Sequence, residues 1–140
     1  MLRLGLLCAL ATIGAACADG PDTSPLAGNW RVDRTARSAT AACPSLTLPP
    51  LAMTLRPGFE KEIDLGPRQY GSDNSIAGNH ITFTTSEFAF SGTSDMLIIV
   101  HDLEIQNGDD HLIGTATAQG DGAHLGCRWD MDAVASRTSR

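Results

Sequence analysis

Met96-Leu-Ile-Ile-Val-His-Asp-Leu-Glu-Ile-Gln106, His111-Leu-Ile-Gly-Thr-Ala-Thr-Ala118 and His124-Leu-Gly-Cys-Arg-Trp-Asp-Met-Asp-Ala-Val134 are consecutive runs separated by turn formers, and their side-chain pattern decides the fold. In the first run Leu97, Ile99, Leu103 and Ile105 share one parity, while Asp102, Glu104 and Gln106 share the other. That period of two belongs to a strand with one buried face. In the third run Leu125, Cys127, Trp129, Met131 and Ala133 oppose Arg128, Asp130 and Asp132; the middle run offers Leu112, Gly114, Ala116 and Ala118. A turn at Asn107–Asp110 sets Ile105 beside Leu112, Leu103 beside Gly114 and His101 beside Ala116. A second turn around Gln119–Ala123 sets Gly114 beside Trp129, Ala116 beside Cys127 and Leu112 beside Met131. Buried face then meets buried face across both pairs, with large residues beside small ones.

The same alternation extends outward along the chain. It predicts strands near Ala27–Asp33, Leu51–Arg56, Glu60–Leu65, Gln69–Ile76 and His80–Phe90 in addition to these three. Pro57-Gly58, Gly66-Pro67, Ala77-Gly78-Asn79, Ser91-Gly92 and Gly120-Asp121-Gly122 punctuate them with residues that preset φ or tolerate its positive values. Hairpin-linked antiparallel strands in this number close most economically into an up-and-down β-barrel, which removes exposed edges. The expectation is an all-β, eight-stranded antiparallel barrel over 27–135, preceded by a signal peptide (1–18) and a tether (19–26), with a short tail at 136–140.

Export is read from the first residues. Arg3 supplies a positive n-region, and Leu4 to Ala16 is an apolar run of 13 residues, too short for a permanent membrane span. Gly14-Ala15-Ala16-Cys17 resembles a lipobox, which would acylate Cys17 and tether the protein to a membrane; Ala16-Cys17-Ala18 also suits ordinary cleavage and free secretion. Under either cleavage Cys43 and Cys127 remain. In an oxidising compartment they are expected to form one disulfide closing a loop of about 85 residues.

Composition excludes several functions. A formal charge of −6 with Lys61 as the only lysine argues against nucleic acid. No phosphate loop, Gly-x-Ser-x-Gly elbow or inward carboxylate pair is present, so neither an enzyme nor a cofactor is expected. Asp109, Asp110 and His111, with Asn107 nearby, read as solvated turn residues rather than a metal site. His101 stands apart, because parity places it on an apolar face beside Ala116 and Cys127. There it is either a satisfied core histidine or the polar anchor of a small ligand-binding site with Ala116 and Trp129.

Leu26-Ala27-Gly28-Asn29-Trp30 opens the first strand with a Gly-x-Trp that resembles the start of lipocalins and their calycin relatives. A long connection after the first strand and Arg137 after the last are similar to that family. The resemblance implies a barrel-end cluster of Gly28, Trp30, Met131 and Arg137, with the arginine laid across the tryptophan; Arg128 suits that role less, because its parity is outward. It also implies that the first loop and the start of the last strand meet at the open end, where Cys43 and Cys127 would pair. The middle Thr-Asp-Tyr motif of lipocalins is absent. The functions implied are binding of an apolar small molecule or lipid, or recognition of an extracellular protein. Small Gly-x-Trp barrels that inhibit bacterial metalloproteases do the latter through the segment before the first strand, here Asp19 to Leu26. An accessory envelope lipoprotein with no small-molecule site is the third reading.

Overall fold

The computed structural model describes residues 26–56, 63–65, 70–77, 80–88, 90, 94–106 and 111–139. The signal peptide, Cys17 and nearly all of the tether therefore lie outside the described residues, as do Asn107, Asp109 and Asp110. The strands are β1 (Gly28–Ala39), β2 (Leu51–Leu55), β3 (Ile63–Asp64), β4 (Tyr70–Ala77), β5 (His80–Phe88), β6 (Met96–Ile105), β7 (His111–Gly120) and β8 (Arg128–Ser139). They form one antiparallel sheet in the order β3-β2-β1-β8-β7-β6-β5-β4. Pairing of the first strand with the last curls the sheet into a nearly closed up-and-down barrel, as the alternation predicts. β3 and β4 stand at the two ends of the sheet order.

Inward residues follow the predicted parity. Leu97, Ile99, His101 and Leu103 of β6 are buried with Leu112, Ala116 and Ala118 of β7 and Trp129, Met131, Ala133 and Ala135 of β8. The predicted β6–β7 register is the observed one, with Ile105 against Leu112, Leu103 against Gly114 and His101 against Ala116. The β7–β8 register differs by four residues: Gly114 meets Ala133, Ala116 meets Met131 and Ala118 meets Trp129. The connection between these strands is longer than a tight turn, because a 3-10 turn at Gly122–His124 occupies it. Gly120 and Cys127 close that connection, the amide of the first donating to the carbonyl of the second at 3.0 Å. Four is an even number, so every side chain keeps its face. Accordingly β8 begins at Arg128 instead of His124 and continues through Ser139, which makes 136–139 strand instead of tail.

β1 likewise runs past Asp33 to Ala39, because its polar second half pairs with β8 from Val134 to Trp129. The first connection is thereby shortened to 40–50. Where β6 crosses β7 the backbones approach closely, and a Cβ on Gly114 would lie 1.9 Å from the Asp102 carbonyl oxygen. Gly114→Ala must spread the two strands, and thermal unfolding is expected to show a loss of about 1–3 kcal/mol. No measurable loss would mean that the strands part freely there.

The two barrel ends differ. At the lower end, Leu26, Trp30 and Leu55 pack with Leu112 and Ala135. At the upper end the connection 40–50 folds over the barrel as a strap, with Leu46 and Leu48 buried and Thr47 between them exposed. The Cys43–Cys127 disulfide joins the strap to the start of β8, with the two Cα atoms 5.7 Å apart.

Candidate functional site

A charged cluster lies inside the apolar barrel. Arg34 continues the inward series Trp30 and Val32 on β1, and Thr85 and Glu87 continue Ile81 and Phe83 on β5. The Arg34 guanidinium clamps Glu87 in a two-pronged pair, Nη1 to Oε1 and Nη2 to Oε2 at 3.0 Å. Thr85 Oγ1 donates to Glu87 Oε1 at 2.8 Å. Arg34 Nη2 also donates to the Pro49 carbonyl of the strap at 2.7 Å. His101 lies next to this pair, with Nε2 3.5 Å from Arg34 Nη1. Its ring stacks on Phe83, centroid to centroid 4.4 Å.

Burial is the main influence on His101, and the Arg34 charge acts in the same direction; together they hold its pKa down at about 3. The Phe83 and Ile99 backbone pulls weakly the other way without completing a hydrogen bond to Nδ1. The imidazole is therefore neutral in the fold. Its ordinary value is 6.5, so the unfolded chain binds a proton between that pH and about 3 which the native state refuses. Stability consequently falls as pH falls through this window and recovers as pH rises. Replacing His101 by Leu removes that proton difference. Urea titrations should show the variant losing about 1 kcal/mol less than the parent between about pH 6 and 5; identical losses would show that His101 is protonated in the fold.

His101 and Ala116 are brought together by register, whereas Trp129 pairs with Ala118, further along β7. All three have at most 1% of their surface exposed. Trp129 is tied to the strap, its Nε1 donating to the Pro44 carbonyl at 2.8 Å. At the lower end the structure assembles three of the four expected residues. Trp30 follows Gly28 into β1 and its Nε1 donates to the Leu26 carbonyl at 2.9 Å. The Arg137 guanidinium lies 4.7 Å from the Trp30 ring centroid, and Nη1 donates to the Ala27 carbonyl at 2.7 Å. Met131 belongs elsewhere, between Ala36 and Ala116 and remote from Trp30, because the longer β7–β8 connection moves it up the barrel. Arg128 is exposed and bonds Asp130.

Arg34, Thr85 and Glu87 are absent from the sequence-based site. For β5 the signal was present, since Thr85 and Glu87 share parity with Ile81 and Phe83. For Arg34 it required extending the first strand past Asp33.

The outer surface is divided. On β1 and β8, ion pairs link Arg31 to Asp33, Arg37 to Asp132 and Arg128 to Asp130. The upper halves of β5, β6 and β7 instead present Thr84, Ser86, Phe88, Met96, Ile98, Val100, Thr117 and Gln119, none of them ionisable. Phe88 is 66% exposed, Ile98 51% and Val100 45%. Register makes these residues contiguous, Phe88 facing Met96 across β5–β6, with Ile98 and Val100 next along β6. Leu125 protrudes at the same end from the connection before β8.

These features define a packed up-and-down barrel with an internal ion pair, a stapled strap and an apolar row on the upper outer face of β5–β6; Ile113 and Val134 form a smaller exposed apolar pair across β7–β8. Comparison with known proteins finds no matching family model, curated protein or solved structure.

Proposed function

We propose that this chain is an exported protein-binding β-barrel, anchored through Cys17 or freely secreted, that recognises its partner with the upper outer face of β5, β6 and β7. One observation carries the reading. Phe88, Ile98 and Val100 form an exposed apolar row on the upper part of the β5–β7 outer face, where the described outward side chains of these strands are not ionisable, in a chain of net charge −6. Apolar patches rimmed by uncharged polar residues mark sites of association, and the centres of interfaces are depleted in charge. The competing reading, an apolar small molecule or lipid inside the barrel near His101, Ala116 and Trp129, would require those packed side chains to move apart. Recognition of a hydrolase through Asp19 to Leu26 concerns a segment almost wholly outside the described residues.

A photo-crosslinking side chain placed at Ser86 or Thr117 in exporting cells should give a discrete protein adduct, and one at Thr35 on the charged face should not. Ile98→Lys should abolish the adduct while leaving the thermal midpoint within a few degrees. Equal adducts from both faces, or none, would overturn the reading. So would native mass spectra of the purified protein loaded with a small molecule.

A further inference from the structure

The strap makes its contacts in an unusual way. Residues 44–50 form no strand ladder. Two strap carbonyls accept hydrogen bonds from side chains fixed on the barrel, Pro44 from Trp129 at 2.8 Å and Pro49 from Arg34 at 2.7 Å. Between them Leu46 and Leu48 point into the core, while Ser45 and Thr47 face outward. An extended segment with alternate apolar side chains buried, held through its carbonyls, describes how a bound peptide sits in a groove. Beside the strap lies a recess of about 380 Å³, lined by Ala36, Arg37, Ser38, Ser45, Leu46 and Trp129; the Arg37 guanidinium there bonds Asp132.

We infer that the upper mouth of the barrel is a binding site for an extended, uncharged apolar peptide segment of Leu-x-Leu pattern, filled in this state by the chain's own residues 44–49. The donors select the ligand's chemistry. Arg34 is already neutralised by Glu87, so the acceptor added at Nη2 has to be neutral, as the Pro49 carbonyl is. A carboxylate there would place a second negative charge beside Glu87 in a desolvated site. An amide carbonyl meets the requirement, and a fatty acid headgroup does not. The disulfide is the clasp that keeps the occupant in place, because Cys43 immediately precedes Pro44 and β2 takes over at Leu51. Tethered at both ends, the strap competes at high effective concentration against any segment offered by another chain.

The test empties the mouth and refills it. A variant carrying Cys43→Ser, Cys127→Ser, Leu46→Ser and Leu48→Ser is titrated with a capped peptide of the sequence of residues 44–50, following Trp129 fluorescence. Far-UV circular dichroism and amide exchange in β6–β8 establish that the barrel is intact. Saturable binding at least about tenfold tighter than to the parent protein is expected. A peptide with serine at both leucine positions should not bind, and laurate should not displace the parent peptide. Absence of binding to the folded variant would overturn the proposal, as would equal binding of the serine peptide or displacement by laurate. If the fourfold variant unfolds, the same titration of Leu46→Ser/Leu48→Ser with the disulfide intact decides the matter by the same outcomes. Ile98→Lys leaves this titration unchanged, so failure of the outer-face reading is scored separately.

Discussion

Glu87→Ala is expected to lower the stability of the barrel by about 3–5 kcal/mol, because it leaves the Arg34 guanidinium buried with its charge uncompensated. The Arg34 side chain has no exposed surface, and its remaining partners would be a neutral carbonyl, a neutral imidazole at 3.5 Å and no carboxylate. The pair as a whole is worth far less than either deletion implies. Desolvating two ions offsets most of their attraction, so Arg34→Met/Glu87→Leu should lie within about 1–2 kcal/mol of the parent. Denaturant unfolding of the three proteins measures both quantities. A single variant as stable as the double would show that water reaches Arg34. The pair therefore acts mainly on specificity of structure: it joins β1 to β5 across the interior and ties both to the strap.

The second large effect is expected from the staple. Cys43→Ser/Cys127→Ser should cost on the order of 4 kcal/mol, since 84 residues separate the two cysteines and the crosslink removes that loop's freedom from the unfolded chain. The native barrel would change chiefly at its upper end, where Pro44 and Leu46 lose their restraint. Amide exchange should accordingly accelerate beyond the global change at 40–50 and at the start of β8, while the slowest amides of β6 and β7 lose only the protection that the fall in global stability removes. A loss well below about 1 kcal/mol would mean that the reduced chain already holds the two segments together in its unfolded ensemble.

Fold and site were legible to different depths, for a common reason. Period-two burial in β6, β7 and β8 reports only which face is inward, and a four-residue shift between β7 and β8 leaves that report unchanged. The inward faces were therefore readable while the pairing of Trp129 was not. The second half of β1 reads as loop in the sequence because Arg34, Arg37 and Ser38 lack an apolar parity; its strand conformation is imposed by pairing with β8, a contact about 100 residues away along the chain. His101 could be singled out because it interrupts an apolar series. Its partners could not, because a charged residue inside a barrel contradicts the pattern that locates the inside, and only curling of the sheet brings β1, β5 and β6 face to face. The outer apolar row leaves a trace in the sequence of β6, where Leu97 to Val100 is apolar on both parities.

The pairing of β1 with β8 has a practical consequence. Leu26 leads into β1 at the lower end, and Asn29 pairs with Ser139 at the end of β8, so both ends of the described chain emerge together at the pole away from the strap. A molecule held by either terminus, on a lipid, a bead or a fused domain, presents the strap and the Phe88–Ile98 row outward. Immobilisation through the N-terminus thus keeps the proposed recognition pole free for capture, and circular permutation across the neighbouring ends is the natural way to move the handle elsewhere.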